Sequence, residues 1–239
     1  MKQIMKQALK DAFEAPEPVG KQAFFKTIRP VKISQFSFLW IQATFIRKTV
    51  WALSVILFGI ALAGAIFINQ DTLWIISSLI PFAALSAVTE NARSRVYNME
   101  ELEMASRFSL KSVTLARMGI MGLLHLILLG LLIPLSCIQG VTTAIQTGVY
   151  LLVPYLLTTV SGLCIVRKIH GKEALYGCMA AAVITSGLNL ILQTAVPVLY
   201  QNTRLHWWIA ALLILAALTA LETYKIVHQT EEELICSLS

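Results

Sequence analysis

Thr185, Asn189 and Gln193 recur every fourth residue inside AAAVITSGLNLILQTAVPVLY, with Ser186 beside the first. On a helix of 3.6 residues per turn they fall on one face, a polar stripe in an apolar segment. Hydroxyl and carboxamide groups are costly against hydrocarbon, so the stripe must turn toward protein or a cavity. There it either lines a pathway or hydrogen-bonds a neighbouring helix, at around 0.6 kcal/mol per contact. His125, inside MGIMGLLHLILLGLLIPLSC, poses the same pair of alternatives. It is a proton relay or a buried neutral imidazole.

Little else has the spacing of a reactive centre. The chain contains no GxxxxGK[ST] phosphate loop, no HExxH and no GxSxG. The four histidines, 125, 170, 206 and 228, fall in different segments, and the four cysteines, 137, 164, 178 and 236, include no CxxC. Neither set has metal-ligand spacing, so the thiols read as small apolar residues. Glu103 and Arg107 form the ExxxR of CAAX-processing membrane proteases, but residue 102 is Leu where that family has a second Glu. The expectation is a protein that is not an enzyme, with no catalytic residues, no metal and no cofactor.

The elements that must position the polar residues are apolar blocks. The 239 residues are 57% hydrophobic and 13% charged, with a mean hydropathy of +0.72. Soluble domains carry about a quarter charged residues. The excess lies in blocks near 20 residues, which as helices cross roughly 30 Å of hydrocarbon. Six spans are expected, at 50–68, 73–89, 118–137, 146–166, 174–199 and 207–222. None alternates apolar and polar residues as a barrel strand does. The fold class is therefore all-α, a polytopic membrane bundle.

Lys and Arg placement sets the orientation. With both termini cytoplasmic, eighteen of the nineteen basic residues lie inside, and only Arg204 lies in an outer loop. The net charge of +6 thus reports topology, and nucleic acid is not an expected partner. The localisation expected is the plasma membrane, multi-pass. MKQIMKQALKDAF lacks a continuous apolar run, so no signal peptide is expected.

Three regions make up the chain on this reading: 1–48, 49–222 with a cytoplasmic loop at 90–117, and a short acidic tail at 223–239. Residues 1–14 have an amphipathic pattern, with Ile4, Met5, Leu9 and Phe13 opposed to Lys2, Lys6 and Lys10. APEPVG ends it. VKISQFSFLWIQATFIRK, at 31–48, is aromatic and closes on Arg47 and Lys48, as a helix at the headgroup level would. Pro81, Pro154 and Pro197 are expected to kink or end helices. The segment ENARSRVYNMEELEMASRFSLKSVTLARM, 90–118, holds nine charges between two apolar runs. Glu103 and Arg107 make a favourable i,i+4 pair. A connection this long tends to be functional.

Six spans, an interfacial helix before the first and a charged helical loop between the second and third resemble the permease of type-2 ABC exporters. Glu90 stands where that family has an acidic residue ending span two. MEELEM (99–104) stands at its short coupling helix, ASRFS (105–109) at the turn and LKSVTLAR (110–117) at the re-entry; FLWIQATFIRK (38–48) is similar to its elbow helix. The turn lacks the family's usual proline, and YNM stands where a glycine precedes the helix. The resemblance implies a permease half that moves a hydrophobic or amphipathic substrate. Its partners would be a separately encoded soluble ATPase, a second copy or a paralogue, and the bilayer. It also implies that Glu100, Glu101, Leu102, Glu103 and Arg107 seat the coupling helix in the ATPase. Two other readings stand beside it: a membrane-anchored regulatory protein that docks a soluble partner, and an ATPase-independent carrier that uses His125, Thr185, Asn189 and Gln193.

Overall fold

The computed structural model describes residues 34–67, 72–97, 110–138, 143–169, 171–200 and 202–238. The chain divides into two compact units, Met1–Phe38 and Leu39–Ser239. Only residues 34–38 of the first are described; the second is the helical bundle. Among the described residues there is no strand.

Among the described residues seven helices carry the architecture: α1 (Gln35–Phe45), α2 (Lys48–Phe67), α3 (Thr72–Asn91), α4 (Leu110–Ile138), α5 (Ala144–Lys168), α6 (Glu173–Ala195) and α7 (Leu205–Leu238). One further turn, Arg93–Val96, follows α3. Among the described residues four segments are long and apolar enough to cross a membrane: Ser112–Pro134, Ala144–Lys168, Glu173–Ala195 and Leu205–Gln229. Helix α1 and the Lys48–Gly64 part of α2 would add a fifth as one broken span, bent by 84°. The protein is an all-helical membrane protein.

The expected segments fall on helices, with instructive differences at their ends. The segment expected at 174–199 stops as a helix at Ala195, because Pro197 cannot donate to the ladder. Two short 3-10 turns, Pro197–Tyr200 and Asn202–Arg204, complete the connection. The segment expected to end at 222 instead runs to Leu238. No glycine or proline interrupts 205–238, so no residue there halts the helix. Pro81, Pro134 and Pro154 all lie inside helices. Near Pro81 a neighbouring helix bonds the α3 backbone: Ser186 Oγ donates to Ser78 O at 2.7 Å.

Helices α3 and α5 form the centre. Helix α3 packs against α2, α5 and α6, while α7 lies on α5 with a smaller contact to α4. The centre of α3 is built of small side chains, among them Ala83, Ala84, Ser86 and Ala87, all buried. Small residues let helix backbones approach, which is how helices associate where lipid removes the hydrophobic drive. One cluster joins four helices through Phe58, Ile76, Ile80, Leu129, Leu132 and Leu151.

Two glycines set the closest approaches. A Cβ added at Gly162 would lie 3.0 Å from Val88 Cγ1, and one at Gly177 would lie 2.9 Å from Ile165 Cγ2. Gly171, in the short α5–α6 connection, has φ +78°, where a β-carbon is strained.

Gly177→Val should lower the thermal midpoint in detergent, at a cost of about 1–3 kcal/mol from overpacking. Ile165→Ala in the same chain should recover part of the loss, because it removes the methyl that the new side chain strikes. A midpoint unchanged in the single variant would show that α5 and α6 do not pack as described.

Candidate functional site

His125 on α4 is fully buried. Its Nε2 lies 3.0 Å from Ser54 Oγ of α2, and its Nδ1 lies 3.0 Å from Tyr155 Oη of α5. Ser54 Oγ lies 3.4 Å from Ser86 Oγ of α3, which donates to Ala83 O at 2.7 Å. One imidazole therefore joins four helices. A neutral imidazole has one donor and one acceptor nitrogen, and hydroxyls can complement either. The Tyr155 ring meets it edge-on at 5.7 Å and Phe58 lies 6.0 Å away.

The order hydroxyl–imidazole–hydroxyl is also that of a base-activated nucleophile. Ser54, however, is 0% exposed and offers a substrate no face. What the arrangement can do without opening is hold helices and pass a proton between Ser54 and Tyr155.

The stripe on α6 meets different partners. Asn189 Nδ2 donates to Ser77 Oγ at 2.7 Å, and Tyr200 Oη donates to Asn189 Oδ1 at 2.7 Å. Both ends of the carboxamide are thus engaged. Thr185 is buried and donates to Ala181 O of its own helix. Gln193 lies one turn beyond Asn189, half-buried and outside this network. The structure therefore brings Asn189 together with α3, keeps His125 in a separate network and leaves Gln193 apart from both.

Tyr200 also anchors an aromatic knot. Its carbonyl accepts from Tyr150 Oη at 2.8 Å and Gln146 Nε2 at 3.2 Å. The rings of Tyr150, Tyr200 and Trp208 lie 5.0–5.3 Å apart, and Trp208 Nε1 donates to Leu199 O at 2.8 Å. Burial, then the neighbouring Tyr150, pushes the Tyr200 phenol from 10.0 up to about 12.

Two ionic junctions link the helices, one at Glu222 within α7 and one at Glu90 near the end of α3. Arg167 of α5 grips Glu222 of α7, with Nε at 2.8 Å from Oε2 and Nη2 at 3.4 Å from Oε1. Lys225 Nζ adds a contact to Oε1 at 3.1 Å. At the end of α3, buried Glu90 accepts from Arg47 N–H at 3.5 Å and pairs with Arg93 at 3.3 Å. Arg47 immediately precedes α2, so the carboxylate sits at that helix's electropositive end.

Residues Glu100, Glu101, Leu102, Glu103 and Arg107 lie outside the described residues. Among the described residues no group of three His, Cys, Asp or Glu could hold a metal. The described thiols, Cys164 and Cys178, are free.

Sequence reasoning missed Ser54, Ser77, Tyr155, Tyr200 and the Arg167–Glu222 pair. The available signal was Glu222, the first carboxylate after the long apolar run of α7. No family model, curated protein or solved structure matches the chain.

His125→Ala should lower stability in detergent by on the order of 2–3 kcal/mol, from a cavity plus two hydroxyls left without the imidazole. Gln193→Leu should stay within about 0.5 kcal/mol. Equal effects would remove His125 from the centre of the bundle. The Tyr200 phenol is bound more tightly to its proton when folded, so its contribution is full below pH 10 and lost through about 12. Melting curves from neutral to strongly alkaline pH should show this limb in wild type and a smaller one in Tyr200→Phe.

Proposed function

We propose that this chain is the membrane-spanning permease subunit of an ABC-type exporter, working with a separately encoded ATPase on a hydrophobic or amphipathic substrate. The observation that carries the reading is the junction at Glu90. Helix α1 turns by 84° into α2, and Glu90, at the end of α3, reaches the Arg47 amide at that turn. An elbow before the first span, and an acidic residue that opens the loop after the second, are what the type-2 exporter resemblance implies.

On this reading six helices cross the bilayer, α2 to α7. Helices α2 and α3 have 20 residues each, about 30 Å at 1.5 Å per residue. Both termini lie in the cytoplasm, since eighteen of nineteen Lys and Arg then lie inside the plasma membrane. MEELEM would seat in a groove of the ATPase, its charges fixing register more than affinity. Closure of the ATPase would pull on the loop between α3 and α4, and through Glu90 on the elbow, moving packed helices between discrete arrangements. A second copy or a paralogue would supply the other half.

An ATPase-independent carrier would need polar side chains free to exchange partners with cargo. His125 and Asn189 instead have their bonds satisfied by neighbouring helices. That supports a structural role for them and a drive from outside the bundle.

Gentle-detergent purification of the tagged protein should bring down a stoichiometric soluble ATPase. Glu101→Arg combined with Leu102→Asp should abolish that association and leave membrane insertion intact. Survival of the association would remove the coupling role from MEELEM, and a stoichiometric partner without ATPase activity would favour the docking protein.

A further inference from the structure

Helix α2 follows the 84° bend from α1 and begins at Lys48. At about 100° per residue, positions 48, 52, 55, 59 and 62 fall within about 40° of one line along the helix. All five, Lys48, Ala52, Val55, Gly59 and Leu62, are exposed. Ser54, Phe58 and Ala61, which face the bundle, lie roughly 80–140° round the helix from Lys48. This flank is therefore a continuous apolar strip with an ammonium at one end. It is recessed at Ala52 and at Gly59, where an added Cβ would meet nothing within 4 Å. From Lys48 to Gly59 the strip runs about 16 Å at 1.5 Å per residue. That is the depth of one leaflet in a hydrocarbon core of roughly 30 Å.

Positive charge is in excess at the Lys48 end. Glu90 is the one carboxylate on α1, α2, α3 or the turn Arg93–Val96. Its Oε1 accepts from the Arg47 amide and from Arg93 Nη1, while the Arg47 guanidinium lies over the Tyr97 ring, 5.8 Å from its centre. Arg47, Lys48 and Arg93 thus stand against a single negative charge. Lys48 makes no ion pair among the described residues, and an ammonium has three donors. Trp40 and Phe45, on the helix before the bend, are 70% and 65% exposed. Aromatic rings so placed belong at the headgroup level, which sets Lys48 at the depth of the phosphates.

We propose that this flank of α2 binds one anionic phospholipid of the inner leaflet. Its acyl chain lies along Ala52, Val55 and Gly59. Its phosphate accepts from the Lys48 ammonium, in the positive field of Arg47 and Arg93. Charge and apolar surface share one face here, as an anionic headgroup with a hydrocarbon tail requires. A second copy of the chain is the poorer occupant. Two copies inserted the same way meet about an axis along the membrane normal, so a two-fold contact on this flank sets Lys48 against Lys48 at equal depth. The proposal rests on α2 crossing the membrane from the cytoplasmic side and not on the ATPase, so either can fail without the other.

The test is native mass spectrometry of protein extracted from vesicles of phosphatidylglycerol with phosphatidylcholine in excess. Wild type should retain one phosphatidylglycerol per chain. Lys48→Gln should lower the preference for phosphatidylglycerol about fivefold, the equivalent of about 1 kcal/mol for a basic residue at an anionic surface. Lys172→Gln, exposed at the start of α6 on the same side of the membrane, removes the same charge and should leave the preference unchanged. Gly59→Trp fills the recess where a Cβ meets no neighbour and should cut retention of any lipid about tenfold. Equal effects of Lys48→Gln and Lys172→Gln would overturn the site, because the charge would then act only as part of the general surface. So would retention of phosphatidylcholine in proportion to its abundance by wild type, retention unchanged in Gly59→Trp, or loss of a dimer in place of a lipid in that variant.

Discussion

A polar side chain without a partner costs several kcal/mol in hydrocarbon, and that constraint organises this bundle around His125. The imidazole has two nitrogens to satisfy, and no single neighbouring helix can satisfy both. Ser54 of α2 and Tyr155 of α5 do so from opposite sides, and Ser86 brings in α3. The apolar packing of Phe58, Leu129 and Leu151 near this point is non-directional. The hydrogen bonds give it register, because sliding any of the four helices by one residue would leave a buried group unpaired. Asn189 does the same at the α3–α6 contact, and Tyr200 ties the 3-10 turn to both α6 and α5.

Much of the architecture was legible because helices in lipid announce themselves by length. The apolar blocks placed α2, α3 and α5 to within two residues at each end, whereas α4 begins at 110 against an expected 118, and α6 stops at 195, ahead of Pro197, against an expected 199. Which polar groups would be buried was also legible, since Asn189 and His125 stand out in apolar runs. Their partners were not. Ser77 and Asn189 are 112 residues apart in the chain, and Ser54 and His125 are 71 apart. A serine among alanines and leucines has no periodicity that singles it out. The length of α7 is hidden for a different reason: the acidic stretch after 222 has no apolar block to mark it, although Glu and Lys are good helix formers and no Gly or Pro in 223–238 breaks the ladder.

The two ionic junctions divide the labour differently from the hydrogen-bonded centre. Glu90 and Glu222 are buried carboxylates, one near the end of α3 and one within α7, each held by more than one donor. Removing the donors from such a group is far costlier than the pair is worth when intact. They act as latches, Glu90 between the elbow turn and α3, and Glu222 between α5 and α7.

The turn at Gly171 divides the bundle mechanically. It leaves α5 and α6 joined by so few residues that neither can rotate alone, and Gly177 against Ile165 locks them again two turns further on. The pair therefore behaves as a single rigid hairpin. Whatever rearrangement the protein undergoes in the membrane must carry α5 and α6 as one body, with sliding confined to the surfaces where that hairpin meets α3, α4 and α7.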